Sequence, residues 1–331
     1  MSGIWRIILT MGVLATVPST GESLLDLLGP ADCVAIAGNG GLTAGLNEFG
    51  RISVCRWPSP GYHDQLSYRS HPGDKPLKGA EPTDGLMWGV RESGTTVWLS
   101  GPPWETVQVP ARDERGIVRA VCTLTGKAFR ATHILFVHPT RDVLVSRLVI
   151  EGPNAAPLLY WYANFTPCTR LLPELPVADW ALDALNDFGC FMTGDGKAVV
   201  HFRPNAPSSQ DWEAAEELAY TNASQSDWVE FREGVWIAFT TPETIAAFQC
   251  GTVGSEACAL AQASRDGLRG DCSAVGECNS ALAIAPQAEN QDWVATVVIA
   301  FGATAEEALG TLQWAFAKGY DSLLGETESY W

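Results

Sequence analysis

Residues 138–167 read HPTRDVLVSRLVIEGPNAAPLLYWYANFTP, two apolar runs split by Gly152-Pro153-Asn154. In Val143-Leu144-Val145-Ser146-Arg147-Leu148-Val149 only Ser146 and Arg147 interrupt the apolar series, which predicts a strand buried on both faces. The second run, Leu158 to Phe165, is apolar as well and carries Tyr160, Trp161, Tyr162 and Phe165. Working outward, short runs of the same kind recur between Gly, Pro, Asn and Asp punctuation: Arg51 to Trp57, Thr95 to Ser100, Ile117 to Leu124, Ala128 to Val137, Ala198 to Arg203, Val235 to Thr240 and Trp293 to Phe301. So many strands with few long helical patterns predict an all-β fold, a large antiparallel sandwich. Roughly 270 residues exceed a single immunoglobulin-like sandwich of ~100. No fixed-period repeat is visible, which argues against a propeller.

Helical signal is confined to two places. Trp212 to Tyr220 is a short acidic segment. From Thr304 the character changes: Thr304 and Glu307 form a capping box, with Leu309, Leu312 and Phe316 at helical spacing. Gly319 marks a break, and Tyr320, Leu323, Leu324 and Trp331 form the apolar stripe of a second helix without a stop signal. These residues read as a short C-terminal helical linker, 304–331, whose stripe is expected to be under-buried, as at a cut between domains. The sandwich is assigned to 23–303.

The 331 residues are 46% hydrophobic, enough for a large core, and 38 acidic residues against 21 basic ones give a net charge of −17. That field repels phosphate backbones, so nucleic acid is excluded as a partner. Thirteen Trp beside twelve Phe supply faces for core packing and, where exposed, for stacking on sugar rings.

Residues 1–22 read as an export signal: Arg6, the apolar run Ile7 to Val17, and a small-residue exit at Pro18-Ser19-Thr20-Gly21, though no A-x-A pattern marks cleavage. The run is too short to span a bilayer, and no other stretch is longer, so no membrane span is expected. Nine cysteines fit a secreted or periplasmic chain. Cys250, Cys258, Cys272 and Cys278 crowd one loop-rich stretch, where at least one disulfide is expected; a Cys258–Cys272 bridge would contribute about 3 kcal/mol. Cys33, Cys55, Cys122, Cys168 and Cys190 sit in apolar patterns and read as buried thiols. No C-x-x-C pair or histidine spacing marks a metal site, and no cofactor motif is present.

Three stretches resemble the N-terminal region of glycoside hydrolase family 15, of the bacterial glucoamylase and glucodextranase type. The first is CVAIAGNGGLTAGLNEFGRISVCRWPSPGYHDQLSYRS (33–70), where Gly38-Asn39-Gly40 and Asn47-Glu48-Phe49-Gly50 are turn chemistry flanking a strand. The second is the opening stretch, 138–167. The third is SALAIAP followed by VVIAFGATAEEALGTLQWAFAKGYDSLLGETESYW. The resemblance covers most of 33–331 and implies a β super-sandwich followed in the family by an (α/α)6 barrel that carries two catalytic glutamates. No position here matches those glutamates. It therefore implies a non-catalytic structural and docking domain of an exported, glucoamylase-type enzyme acting on α-glucans, with the barrel as its partner.

Two other classes stay open. As a stand-alone carbohydrate-binding module, the chain would hold α-glucan or another oligosaccharide through Trp57, Tyr62, His63 and Tyr68 around the loop Pro58 to Asp64; the competing reading is a patch buried against the barrel. As a mutarotase-like sugar epimerase, it would use His133 or His138 for proton transfer. Asp113-Glu114, Asp142, Asp179 with Asp183 and Asp187, and Glu213 with Glu216 and Glu217 are carboxylates a glycosidase could use, but loop charges account for them equally. Asn164-Phe165-Thr166 and Asn222-Ala223-Ser224 match glycosylation sequons. Gly38-Asn39-Gly40-Gly41 lacks the Lys-Ser/Thr of a phosphate loop and reads as a hairpin turn.

Overall fold

The computed structural model describes residues 33–60, 65–66, 85–92, 94–127, 129–152, 156–165, 167, 189–203, 234–265, 267–276 and 278–331. Among them, antiparallel strands form two sheets. The eight-stranded sheet runs β1 (Ala35–Gly38), β2 (Thr43–Leu46), β3 (Ile52–Arg56), β4 (Gly85–Glu92), β10 (Leu158–Asn164), β16 (Cys278–Ala285) and β14 (Thr244–Thr252), with β5 (Thr95–Trp98) also on β4. The ten-stranded sheet runs β15 (Ser273–Val275), β11 (Gly189–Met192), β12 (Val199–Arg203), β13 (Val235–Thr240), β18 (Asp292–Gly302), β9 (Val143–Glu151), β8 (Arg130–Val137), β7 (Val118–Leu124) and β6 (Trp104–Arg112), with β17 (Gln287–Glu289) on β18. The expected super-sandwich is the observed fold.

The turns follow from side-chain chemistry. Asn39 closes the β1–β2 hairpin by accepting from the Gly41 and Leu42 amides at 2.8 and 2.7 Å, beside Gly40 at φ 95°. Its amide nitrogen also donates to the His138 carbonyl at 2.9 Å and the Arg141 carbonyl at 3.0 Å, tying this hairpin to the turn after β8. Asn47 accepts from the Phe49 and Arg51 amides in the same way ahead of β3.

Strand alternation explains why β9 is apolar on both faces. Leu144, Leu148 and Ile150 enter the core between the sheets, while Val143 and Val145 face outward under a helical layer. That layer is α2 (Ala305–Lys318) and α3 (Tyr320–Tyr330), following the short α1 (Ala259–Ser264). Thr304 Oγ1 accepts from the Glu307 amide at 3.2 Å, and the Glu307 carboxylate reaches back to the Ala303 amide at 2.9 Å. Ala308, Leu312 and Ala315 of α2 and Leu323 of α3 are buried on Phe136, Val143, Val145, Val298 and Ala300.

The stripe of the second helix is therefore not left bare. Leu323 is fully buried, Tyr320 lies under the Arg147 guanidinium at 4.0 Å, and the Trp331 indole meets Gly116 and the Arg112 guanidinium, 4.5 Å from its ring centroid. Burying each large side chain contributes roughly 1.5–3 kcal/mol. Tyr330 and about half of Trp331 stay exposed, as does Phe316 on α2.

The other outer face has a different cover. Tyr160 and Tyr162 of β10 point away from the core, and α1 with Leu268 and Trp98 packs on them. Asn279 of β16 holds α1 in place: its oxygen accepts from the Ala259 amide at 2.8 Å and its nitrogen donates to the Cys258 sulfur at 3.1 Å.

This arrangement overturns the expected disulfide. Cys250, Cys258, Cys272 and Cys278 form no bridge. Cys258 belongs to the start of α1, Cys272 is exposed before β15, and Cys250 and Cys278 point into the core within hydrogen-bonding reach of Cys190. The loop that their spacing suggested stapling is held instead by packing on Tyr160 and Tyr162.

Candidate functional site

Among the described residues, those singled out in the sequence do not converge. Trp57 is buried, its ring stacked on Phe301 at 6.2 Å and its Nε1 donating to the Asp142 carboxylate at 2.9 Å. Tyr62, His63 and Tyr68 lie outside the described residues, as do Asp179, Asp183, Asp187, Glu213, Glu216, Glu217, the Trp212–Tyr220 segment and Asn222. Asn164 is fully buried in β10, away from any glycosylating enzyme in the folded chain.

His133 and His138 are five residues apart, an odd spacing that sends them to opposite faces of β8 and its continuation. His133 enters the core. Its Nδ1 lies 2.6 Å from the Gly50 carbonyl, which can only accept, so that nitrogen carries the proton. Nε2 then accepts from the Ser146 hydroxyl at 2.7 Å, and Ser146 in turn accepts from Trp88 Nε1 at 2.9 Å. Every group in this chain is satisfied with the imidazole neutral, and burial lowers its pKa to about 4 against the small upward pull of the Gly50 hydrogen bond. His138 faces the helical layer, edge-on to Trp314 at 5.2 Å, with Nε2 3.1 Å from the Glu326 carboxylate. A shared proton relay on one substrate is thus ruled out for this pair.

Of the candidate carboxylates that are described, Asp113 serves a turn and Asp142 an anchor, while Glu114 is exposed. Asp113 accepts from the Arg115 and Ile117 amides, both at 3.0 Å, and pairs with Arg119; these contacts hold its carboxyl below the usual range despite the opposing effect of burial. Asp142 orients Trp57.

Two concave places among the described residues lie beside the C-terminal helices. One is an open groove between α3 and the turn after β8, lined by His138, Thr140, Asp321, Glu326, Ser329 and Tyr330. The other is a deeper cleft of about 800 Å³ between α2, the β11–β12 turn and the β13–β14 turn. Its floor is apolar, from Ala198, Ile245, Leu309 and Leu312, and its rim carries Asp195, Lys197, Gln313 and Phe316. Glu243 lines it as well. This side chain is only 8% exposed, and its Oε2 accepts from the Thr241 hydroxyl and, at 3.0 Å, from the Thr296 amide. Burial raises its pKa, opposed by those hydrogen bonds and by the Arg147 charge. Sequence reading missed this cleft, although Leu309, Gln313 and Phe316 stand at helical i, i+4, i+7 spacing, one face away from the buried stripe. Glu243 had no signal at all, since only the fold brings it beside α2.

Among the described residues no group of three or more His, Cys, Asp or Glu side chains is placed to hold a metal ion, and no helix is long and apolar enough to cross a membrane.

Two large antiparallel sheets, with a helical layer on one outer face and a short helix on the other, define a β super-sandwich. A bacterial glucoamylase complexed with acarbose has a similar fold over 95% of this chain and 39% of its own, at 12% identity and a TM-score of 0.55. A putative kojibiose phosphorylase from human microbiome aligns with 89% of the chain at 10% identity and a TM-score of 0.49, over 34% of its own length. A family GH92 α-mannosidase from Bacteroides thetaiotaomicron aligns with 92% at 9% identity and a TM-score of 0.46, over 35% of its own length. The chain thus spans well under half of each, and at such identities the glucoamylase likeness concerns the fold. No family model and no curated protein matches the sequence.

Proposed function

We propose that this chain is the non-catalytic super-sandwich module of an exported, glucoamylase-type glycoside hydrolase of family 15 acting on α-glucans. The observation that carries the reading is the fold: two sheets passing into a pair of C-terminal helices, alike over 95% of the chain to a bacterial glucoamylase three-fifths of whose chain lies elsewhere. The family-like sequence stretches point the same way. Asn39, Asp142 and Arg147, which lie in them, all turn out to brace the sandwich: Asn39 ties two turns, Asp142 fixes Trp57, and Arg147 pairs with Glu289 and covers Tyr320. Residues that build a rigid scaffold are what a docking module needs, and none of these stands where it could attack a glycosidic bond.

In this reading the helices α2 and α3 lead toward an (α/α)6 barrel, and the sandwich gives that barrel a fixed surface to pack on. The test is to mix the purified chain with a glucoamylase-type barrel from the same genome expressed without a sandwich of its own. A stable complex on size exclusion, with the barrel's melting temperature raised, is expected. Two species that elute independently at micromolar concentration would overturn the docking role.

A further inference from the structure

We propose that the cleft between α2 and the β11–β12 and β13–β14 turns binds a neutral sugar ring of an oligosaccharide. The inference rests on the carbohydrate-enzyme reading above and places a ligand site on the sandwich itself. Three independent features of the cleft agree. Its volume of about 800 Å³ lies within the roughly 300–1,000 Å³ typical of small-molecule sites. Phe316 stands at its rim half exposed, one of the few large apolar side chains on the described surface left open to water, and an aromatic face there can cover the C–H face of a pyranose.

The third feature is Glu243. Both of its hydrogen bonds fall on Oε2. Oε1 accepts no hydrogen bond from another described residue and keeps an open acceptor position beside the cleft that Glu243 lines. Vicinal hydroxyls of a sugar ring are donors that can fill it. Gln313 across the cleft offers both an acceptor and donors.

The charge pattern selects a neutral ligand. An anion would meet Glu243 and Asp195 on a chain of net charge −17. The single lysine at the rim, Lys197, lies 3.7 Å from Asp195 and offsets it locally. An organic cation gains little from Asp195 for the same reason, and little more from Glu243, whose charge burial disfavours and the Arg147 guanidinium offsets. What remains is an uncharged, hydroxyl-rich ring with an apolar face.

The experiment is calorimetric titration of the full chain with maltoheptaose, isomaltotriose and an α-mannan oligosaccharide, repeated on Phe316→Ala, Glu243→Gln and, as a control outside the cleft, Tyr330→Ala. Phe316 is on the surface, so its replacement leaves the fold intact, and thermal melts check Glu243→Gln. Saturable binding of at least one sugar is expected, weakened about tenfold or more by Phe316→Ala, the equivalent of about 1.4 kcal/mol, and unchanged by Tyr330→Ala. Absence of saturable heat at millimolar sugar, or binding indifferent to both cleft variants, overturns the proposal. Either result leaves barrel docking to be judged by its own size-exclusion test, so the two failures are distinguishable.

Discussion

Acidification from pH 7 to pH 5 should weaken the fold by several kcal/mol, chiefly through two histidines sealed in the core. His133 is held neutral by the chain from Trp88 through Ser146, and His201 by burial beside the Ser280 hydroxyl at 2.7 Å. Against an unperturbed value of 6.5, burial lowers them to about 4 and about 3. Between 6.5 and those values the unfolded chain takes up a proton that the folded chain refuses, so stability falls as pH falls and levels off for each group below its folded pKa. At about 1.36 kcal/mol per unit, the descent from 6.5 to 5 removes about 2 kcal/mol per histidine and about 4 in all. That is a large share of the roughly 5–15 kcal/mol of a typical domain. Asp113, whose pKa is lowered, titrates below this window, and Glu243, whose pKa is raised, opposes the loss by taking up a proton more readily when folded. The assay is urea unfolding followed by tryptophan fluorescence at pH 7 and pH 5, on the wild type and on His133→Gln. The variant starts less stable, but its loss between the two pH values should shrink by about half. Superimposable wild-type curves, or a variant that keeps the full pH dependence, would refute the reasoning.

Leu323→Ala should lower stability by about 2–5 kcal/mol, because α3 belongs to the packed layer over β8 and β9; an unchanged melting midpoint would mean that α3 is not anchored. Gly310 lies within α2 with open space where a Cβ would stand, so Gly310→Ala should raise stability by about 0.5–1 kcal/mol in the same melt, and a fall would point to a contact there that the free chain does not show. Alkylation of the native protein should label Cys272 long before Cys190 or Cys250, since only the first is exposed; labelling at equal rates would contradict the packing of the core.

The sandwich itself was legible because alternation and turn chemistry are local. Asn39 and Asn47 make the hairpin turns their spacing announces, and Thr304 with Glu307 caps α2. The double-sided apolar pattern of β9 was read correctly, but not its cause, which is a helical layer supplied from more than 150 residues away. The same layer explains why the expected bare stripe of α3 is covered. The two histidines, weighed as alternatives, part by strand parity, His133 into the core and His138 toward the helical layer. One reading failed for a physical reason. Cysteine spacing suggested a staple, whereas each thiol follows its own element: Cys258 goes with α1 while Cys250 and Cys278 go to the core. The cleft was invisible because Glu243, Asp195 and Phe316 come from three separate parts of the chain and meet only after the sheets have formed.

On the proposed reading the sandwich itself hydrolyses no glycosidic bond. The most direct test is glucose release from maltooligosaccharides and dextran by the purified chain alone, followed by a coupled glucose assay between pH 4 and pH 8. No release above a buffer blank is expected, because the described carboxylates at Asp113 and Asp142 are engaged in turns and anchors, and Asp195, which shares the cleft with Glu243, is engaged by the Thr193 hydroxyl, the Lys197 amide and the Lys197 ammonium. Steady, enzyme-dependent accumulation of glucose would contradict the account and place a catalytic pair within this chain.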